Sequence, residues 1–269
     1  MPWQPTTILR LEEALPTGAG VFRVVTDAGK GYLKTLGNPA GTRALICEWI
    51  AWRLARKLKL PTFDAAIVSV TGLDELQFAK GGFAEPGPAF ITRAENGTVW
   101  GGTETDLKRL VNPEDLMRLV VFDTWLRNRD RCPPPGTAWH INRRNVFLAL
   151  ENMPEGKMCL KAMDHTHCLT WASELTAKIA GIDEWQDERV YGRFIEFEPW
   201  LSRERVRGVL ADLSLITQED VSEILAALPS AWLMDGTIRK AVIDFVVSRA
   251  GWLVDNMESL LWPQKEFKI

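Results

Sequence analysis

The sequence predicts an α+β fold in two lobes, a β-rich first part with one main helix and a mostly helical second part. Three observations predict it. Short β-favouring runs broken by turn residues fill the first ninety-odd positions. A strong helix start, Asn112-Pro113-Glu114-Asp115, opens the second part with a capping side chain, a proline and acids in the first turn. From about Thr170 onward the apolar spacing reads as helices only. The expected division is residues 1–95 and 96–269, with a cleft between the lobes.

In the first part, the runs at residues 8–11, 20–26 and 31–35 are separated by Pro16-Thr17-Gly18-Ala19-Gly20 and Asp27-Ala28-Gly29-Lys30. Turns of that kind between β-favouring runs make an antiparallel meander. Pro39 is expected to open a helix reaching about Leu58, because Leu45, Trp49 and Trp52, with Ile46 and Ile50, recur at helical intervals. Arg53, Arg56, Lys57 and Lys59 gather at its end, where cations suit the helix dipole, and Leu60-Pro61 stops it. Two further strands are expected at residues 63–70 and 89–93.

The second part begins with a helix carrying Leu116, Met117, Leu119, Val120, Val121, Phe122, Trp125 and Leu126. Apolar on nearly every side, it belongs in the middle of that part. It ends in Arg127-Asn128-Arg129-Asp130-Arg131, before a loop with three consecutive prolines. A hairpin is expected from residues 146–150 and 158–163, then a helix capped at Thr217 with Asp220 three residues on, and a last helix from about Thr237 to Leu261.

Composition narrows the function classes. Of 269 residues 46% are hydrophobic and 25% charged, which is the make-up of a folded chain. A net charge of −3, from 35 acids and 32 bases without a run of either sign, argues against general nucleic-acid binding. No apolar stretch reaches the ~18 residues of a membrane span, and Met1-Pro2-Trp3-Gln4-Pro5 lacks the order of a secretory signal. Four cysteines are no disulfide framework, so a reducing, cytoplasmic setting is expected. The twelve tryptophans are scattered and read as packing bulk.

Four elements can carry chemistry. Thr17-Gly18-Ala19-Gly20 lies between strands, where glycines let backbone amides approach a phosphate, although by itself it reads as a β-turn. Lys34 in a strand needs a partner, and Glu48 on the following helix can hold its ammonium. Asp130, just past the buried helix, is placed to accept a hydroxyl proton, with Asn145 downstream. Asp164 follows an apolar strand, where a carboxylate can bind Mg²⁺.

In this order the parts resemble those of a phosphoryl-transfer enzyme of the protein-kinase type, and the chain resembles the HipA-like kinases. The resemblance rests on Gly31-Tyr32-Leu33-Lys34, Cys47-Glu48, Asp123-Thr124-Trp125-Leu126-Arg127-Asn128-Arg129-Asp130-Arg131, Arg144-Asn145-Val146-Phe147-Leu148 and Leu160-Lys161-Ala162-Met163-Asp164-His165. It spans about residues 15–170, and within the family it is similar to a branch that also resembles phosphoinositide kinases.

The resemblance implies a bilobal protein-kinase-like fold and an ATP- and Mg²⁺-dependent transfer to a Ser or Thr hydroxyl of a protein. Gly18, Ala19 and Gly20 would cover the phosphates, and Lys34 would grip them with Glu48 as its brace. Asp130 would be the base, Asn145 and Asp164 would hold Mg²⁺, and Phe90, Ile91 and Thr92 would lie where the fold receives adenine. An antitoxin-like regulator is among the partners it implies. Fourteen residues, 131–144, separate Asp130 from Asn145 where relatives have only a few, so Asn142 stands as an alternative ligand. The insertion still lets the two ends meet, because each doubling of a loop costs only about 0.6 kcal/mol. The other readings are a catalytically silent kinase-fold binding module and a lipid or small-molecule kinase, the last using Asp183, Glu184, Asp187, Glu188, Glu196 and Glu198 as acceptor-pocket acids. Cys159, His165, His167 and Cys168 lie within ten residues, but without a Cys-x-x-Cys pair no structural zinc is expected.

Overall fold

A computed structural model describes residues 3–72, 75–171 and 173–263. The first part forms β1 (Ile8–Leu15), β2 (Val21–Thr26), β3 (Gly29–Leu36), the helix α1 (Thr42–Lys57), β4 (Ala65–Val70) and β5 (Glu85–Arg93). These five strands make one antiparallel sheet in the order β1-β2-β3-β5-β4. Alternation along the strands divides its faces. Phe22, Val24, Leu33, Val68, Ala89 and Ile91 bury themselves with Leu76 and Phe78 in a small core on one side. Phe90 packs instead with α1 and the helices beyond it.

The α1 helix starts three residues later than the sequence predicts. Gly41 sits at φ +72°, outside the helical region, and Asn38 ties the preceding residues into a turn by donating to the Thr35 carbonyl (2.7 Å) and accepting from Ala40 N–H (2.9 Å). Pro39 therefore belongs to that turn.

The second part contains β6 (Gly97–Val99), α2 (Glu104–Leu107), α3 (Asp115–Leu126), β7 (Val146–Ala149), β8 (Cys159–Ala162), α4 (Ile182–Trp185), α5 (Arg203–Leu213), α6 (Gln218–Ala226) and α7 (Gly236–Leu261). The expected hairpin is β7 with β8, and β6 adds a third antiparallel strand. Every residue of α3 except Arg118 is buried, as its all-round apolar surface requires. The predicted capping box at Thr217 and Asp220 closes in full. Asn112 acts differently from expectation. Its amide accepts from Leu160 N–H (2.8 Å) and donates to the Leu160 carbonyl (3.1 Å), so it serves β8 as a strand neighbour would. Regular helix also resumes later than predicted. Between Thr170 and α5 the chain runs through α4 and two 3₁₀ segments, Ala177–Ala180 and Ile195–Trp200. Gly181, Gly192 at φ +73° and Pro199 interrupt longer helices there.

One large core joins the two parts: the buried face of α1 packs on α6 and belongs to the same cluster of buried side chains as α3, α5 and α7. The tryptophans do more than fill it. Trp49 on α1 donates its indole N–H to the Ile224 carbonyl of α6 (3.0 Å), Trp125 on α3 to Val246 of α7 (2.8 Å), and Trp232 to Pro88 of β5 (3.0 Å). No helix among the described residues is long and apolar enough to cross a membrane. Removing the largest side chain at the centre should show most: Trp125→Ala is expected to lower the unfolding free energy by about 3–5 kcal/mol in chemical denaturation.

Candidate active site

The sheet, α1 and the β7–β8 hairpin enclose a cleft of about 800 Å³. Strand alternation sends Lys34 of β3 and its cross-strand neighbour Phe90 of β5 to the cleft side. Lys34 Nζ donates to Glu48 of α1, to Asp164 Oδ1 (3.1 Å) and to Thr166 Oγ1 (2.9 Å). Burial by itself would weaken the lysine's hold on its proton. The charges of Asp164 and Glu48 outweigh that and keep its pKa above the ordinary lysine value. For Glu48 burial pushes upward, but Lys34 and His165 hold the carboxyl well below the usual carboxylate range. Glu48 Oε1 also accepts from His165 N–H (3.1 Å), so α1 is joined to the segment after β8 at its backbone.

That segment is tightly bent. Asp164 takes φ +54°, a conformation uncommon outside glycine that Asp tolerates better than most. Thr166 Oγ1 lies 2.9 Å from Glu48 Oε1 and 3.0 Å from Asp164 Oδ1, and the Thr166 carbonyl accepts from Arg43 of α1 (2.5 Å). Cys168 and Cys47 of α1 exchange thiol-to-carbonyl contacts of 3.7 and 3.5 Å.

The opposite wall comes from the end of α3. Arg127 is left-handed (φ +54°), which turns the chain out of the helix toward Asp130. Asn145 Nδ2 donates to Asp130 Oδ2 (2.7 Å), holding that carboxylate at the cleft. Fully buried Arg131 pairs with Asp123 of α3, while its Nε donates to the Asn145 carbonyl (3.0 Å) and its Nη2 to the Met163 carbonyl (2.6 Å). The insertion closes on itself, since Asn142 N–H donates to the Arg131 carbonyl (2.9 Å).

Of the residues singled out in the sequence, Gly18, Ala19, Lys34, Glu48, Phe90, Thr92, Asp130, Asn145 and Asp164 line this cleft, and so does Asn142. Two do not. Ile91 is fully buried in the small core on the other face, because neighbouring residues of a strand point to opposite sides. Gly20 is a packing glycine: at φ +61° it lies so close to Phe78 that a Cβ would meet the ring at 2.7 Å. Gly18 has open space around it. None of the six acids offered for a small-molecule acceptor site lines the cleft, and four of them are committed elsewhere, Glu184 and Asp187 to Arg127, Glu196 to Arg143 and Glu198 to Arg193. The positioning roles of Thr166 and Arg131 were missed. An arginine directly after the loop aspartate Asp130 was the available signal for Arg131; the threonine shows no pattern along the chain.

A family model described as HipA-like kinase matches residues 19–180. Among curated proteins the sequence finds no match. The structure is similar to the crystal structure of the Helicobacter pylori proinflammatory kinase CtkA, with a TM-score of 0.60 and 10% identity over 95% of this chain and 96% of that one. It is also similar, at a TM-score of 0.41 and 12% identity over 93% of this chain and 66% of that one, to HipA from Shewanella oneidensis MR-1, solved with HipB and operator DNA. At 10% identity the likeness to CtkA speaks of the fold alone, which is kinase-like.

Two variants probe how the site is held. Arg131→Lys cannot span three partners with one ammonium, so it is expected to lower the unfolding free energy by about 3 kcal/mol in urea. Glu48→Gln is expected to do the same near neutral pH, by about 3 kcal/mol. The depressed Glu48 pKa makes its contribution present above the ordinary value of 4.5 and lost as pH falls below it. The raised Lys34 pKa makes its share present below 10.5 and lost as pH rises past it. The wild-type advantage over Glu48→Gln should therefore stay flat from about pH 5 to about pH 10 and narrow in acid, measured as unfolding free energy against pH.

Proposed function

Because the chain belongs to the HipA-like kinase family, we propose that it transfers the terminal phosphoryl group of ATP, with Mg²⁺, to the hydroxyl of a Ser or Thr side chain in a protein. One observation carries the reading: a strand lysine braced by a helix glutamate, a strand-end aspartate and an asparagine-held loop aspartate face a single cleft.

The residues fit both ligands. The cleft volume is in the range of small-molecule sites, and Phe63, Phe90, Phe147 and Trp52 supply an apolar end for a base. The turn of Gly18 and Ala19 supplies backbone at the other wall. Mg²⁺ prefers hard oxygen donors and takes one or two protein ligands beside phosphate oxygens. Asp164 Oδ2 and Asn145 Oδ1 carry no hydrogen bond among the described residues and would hold it. We assign Asn145 over Asn142 because its amide is buried and fixed on Asp130. When bound, the ion would offset charge on the phosphate oxygens.

Lys34 holds a phosphate oxygen while Glu48 keeps its ammonium in place. Asp130 accepts the proton of the acceptor hydroxyl as that oxygen bonds to phosphorus and the bridging oxygen leaves with the diphosphate. Asn145 keeps Asp130 turned to the acceptor, and positioning with charge neutralisation supplies the rate. The protein acceptor and an antitoxin-like regulator follow from the family resemblance.

Transfer of labelled phosphate from ATP, to the chain itself or to a Ser/Thr-containing protein, tests the reading. Asp130→Asn and Asp164→Asn are each expected to reduce it at least about 100-fold under Mg²⁺. A wild type no faster than these variants with Mg²⁺ or Mn²⁺ would leave a silent kinase-fold module as the correct description.

A further inference from the structure

The arginines and lysines around the cleft are, with one exception, already partnered. Lys34 is held by Glu48, Asp164 and Thr166, Lys161 by Glu95, and Arg131 by Asp123 and two carbonyls. The contrast is sharpest between sequence neighbours. In the 3₁₀ turn Arg143–Asn145, Arg143 donates to Glu196 Oε1 through Nε (2.9 Å) and Nη2 (2.6 Å). Arg144 is exposed, lines the cleft, and has neither an ion-pair nor a side-chain hydrogen-bond partner among the described residues.

We propose that Arg144 is a phosphate-binding residue, the cation that receives the terminal phosphate of a bound nucleoside triphosphate. The inference rests on the function proposed above. The lining holds four carboxylates, Glu48, Glu95, Asp130 and Asp164, against the cations Lys34 and Arg144. Lys34 shares its charge with two of those carboxylates. Mg²⁺ held by Asp164 and Asn145 would offset part of the phosphate charge, and a further cation beside Asp130 would offset the like charge that the carboxylate presents to the terminal phosphate. Arg144 precedes Asn145, whose side chain holds Asp130, so its guanidinium rises from the turn that positions the proposed base. Its planar fork matches phosphate oxygens, and no existing ion pair has to break for it to engage.

Binding separates this role from others. With Mg²⁺ and calorimetry, Arg144→Gln is expected to bind an imido-triphosphate analogue of ATP about tenfold more weakly and ADP within about twofold of wild type. Arg144→Lys should fall between the two, because it keeps charge but loses the fork. Equal losses for both nucleotides would overturn the proposal by moving the contact to the inner phosphates. So would unchanged binding of both, or a loss of thermal stability large enough to account for the weaker binding. A wild type that binds neither nucleotide would overturn the kinase reading itself, whereas normal wild-type binding with an indifferent variant would overturn only the role of Arg144.

Discussion

The arrangement depends on one buried cation. Arg131 has no exposed surface, and its guanidinium is divided between the Asp123 carboxylate of α3, the Asn145 carbonyl before β7 and the Met163 carbonyl after β8. No other side chain offers five donors in a rigid plane, so no other could join a helix, a loop and a hairpin at one point. Each backbone group it holds belongs to, or lies next to, a residue facing the cleft. An unpaired charge at such depth would be expensive by several kcal/mol, which makes Asp123 as necessary as the arginine. Gly192 is set against that carboxylate so closely that any side chain there would collide with it.

Across the cleft the corresponding tie is ionic and three-cornered. Lys34 comes from the sheet, Glu48 from α1 and Asp164 from the segment after β8. Thr166 adds a single hydroxyl that contacts all three groups. A hydroxyl has one proton, so it can donate to Glu48 or to Asp164 but not to both. The segment that delivers it is irregular: Asp164, Leu169 and Trp171 all have positive φ. Such a path is held by its surroundings, including Arg43 and Cys47 of α1, rather than by any repeating backbone pattern.

Much of the fold was legible because repeated residue spacing reports burial directly. The meander, the central α3, the β7–β8 hairpin and the Thr217 capping box all follow local rules. The departures have two causes, tertiary contact overriding local preference and local backbone turns that the apolar spacing does not report. Asn112 reads as a cap yet serves β8 across 48 residues, Pro39 lies in the local turn before Gly41, whose positive φ suits glycine, and the region between Thr170 and α5 is broken by Gly181, Gly192 and Pro199 and tied back to α3 by the Arg127–Asp187 ion pair. The candidate site was legible residue by residue where a charged side chain interrupts an apolar element, as at Lys34 and Glu48. It was misread at Ile91, where three consecutive strand residues were assigned to one side although only alternate ones can share it.

The sequence by itself determined the main strands and helices and the order in which the polar residues between them occur, because apolar period and turn chemistry act over a few residues. Only the tertiary structure decided that residues up to 132 positions apart hydrogen-bond within one cleft, which cations are already neutralised there, and that Arg144 is left free among the described residues. Those outcomes depend on which charge pairs with which across the packed core, and pairing over such separations leaves no local spacing to read.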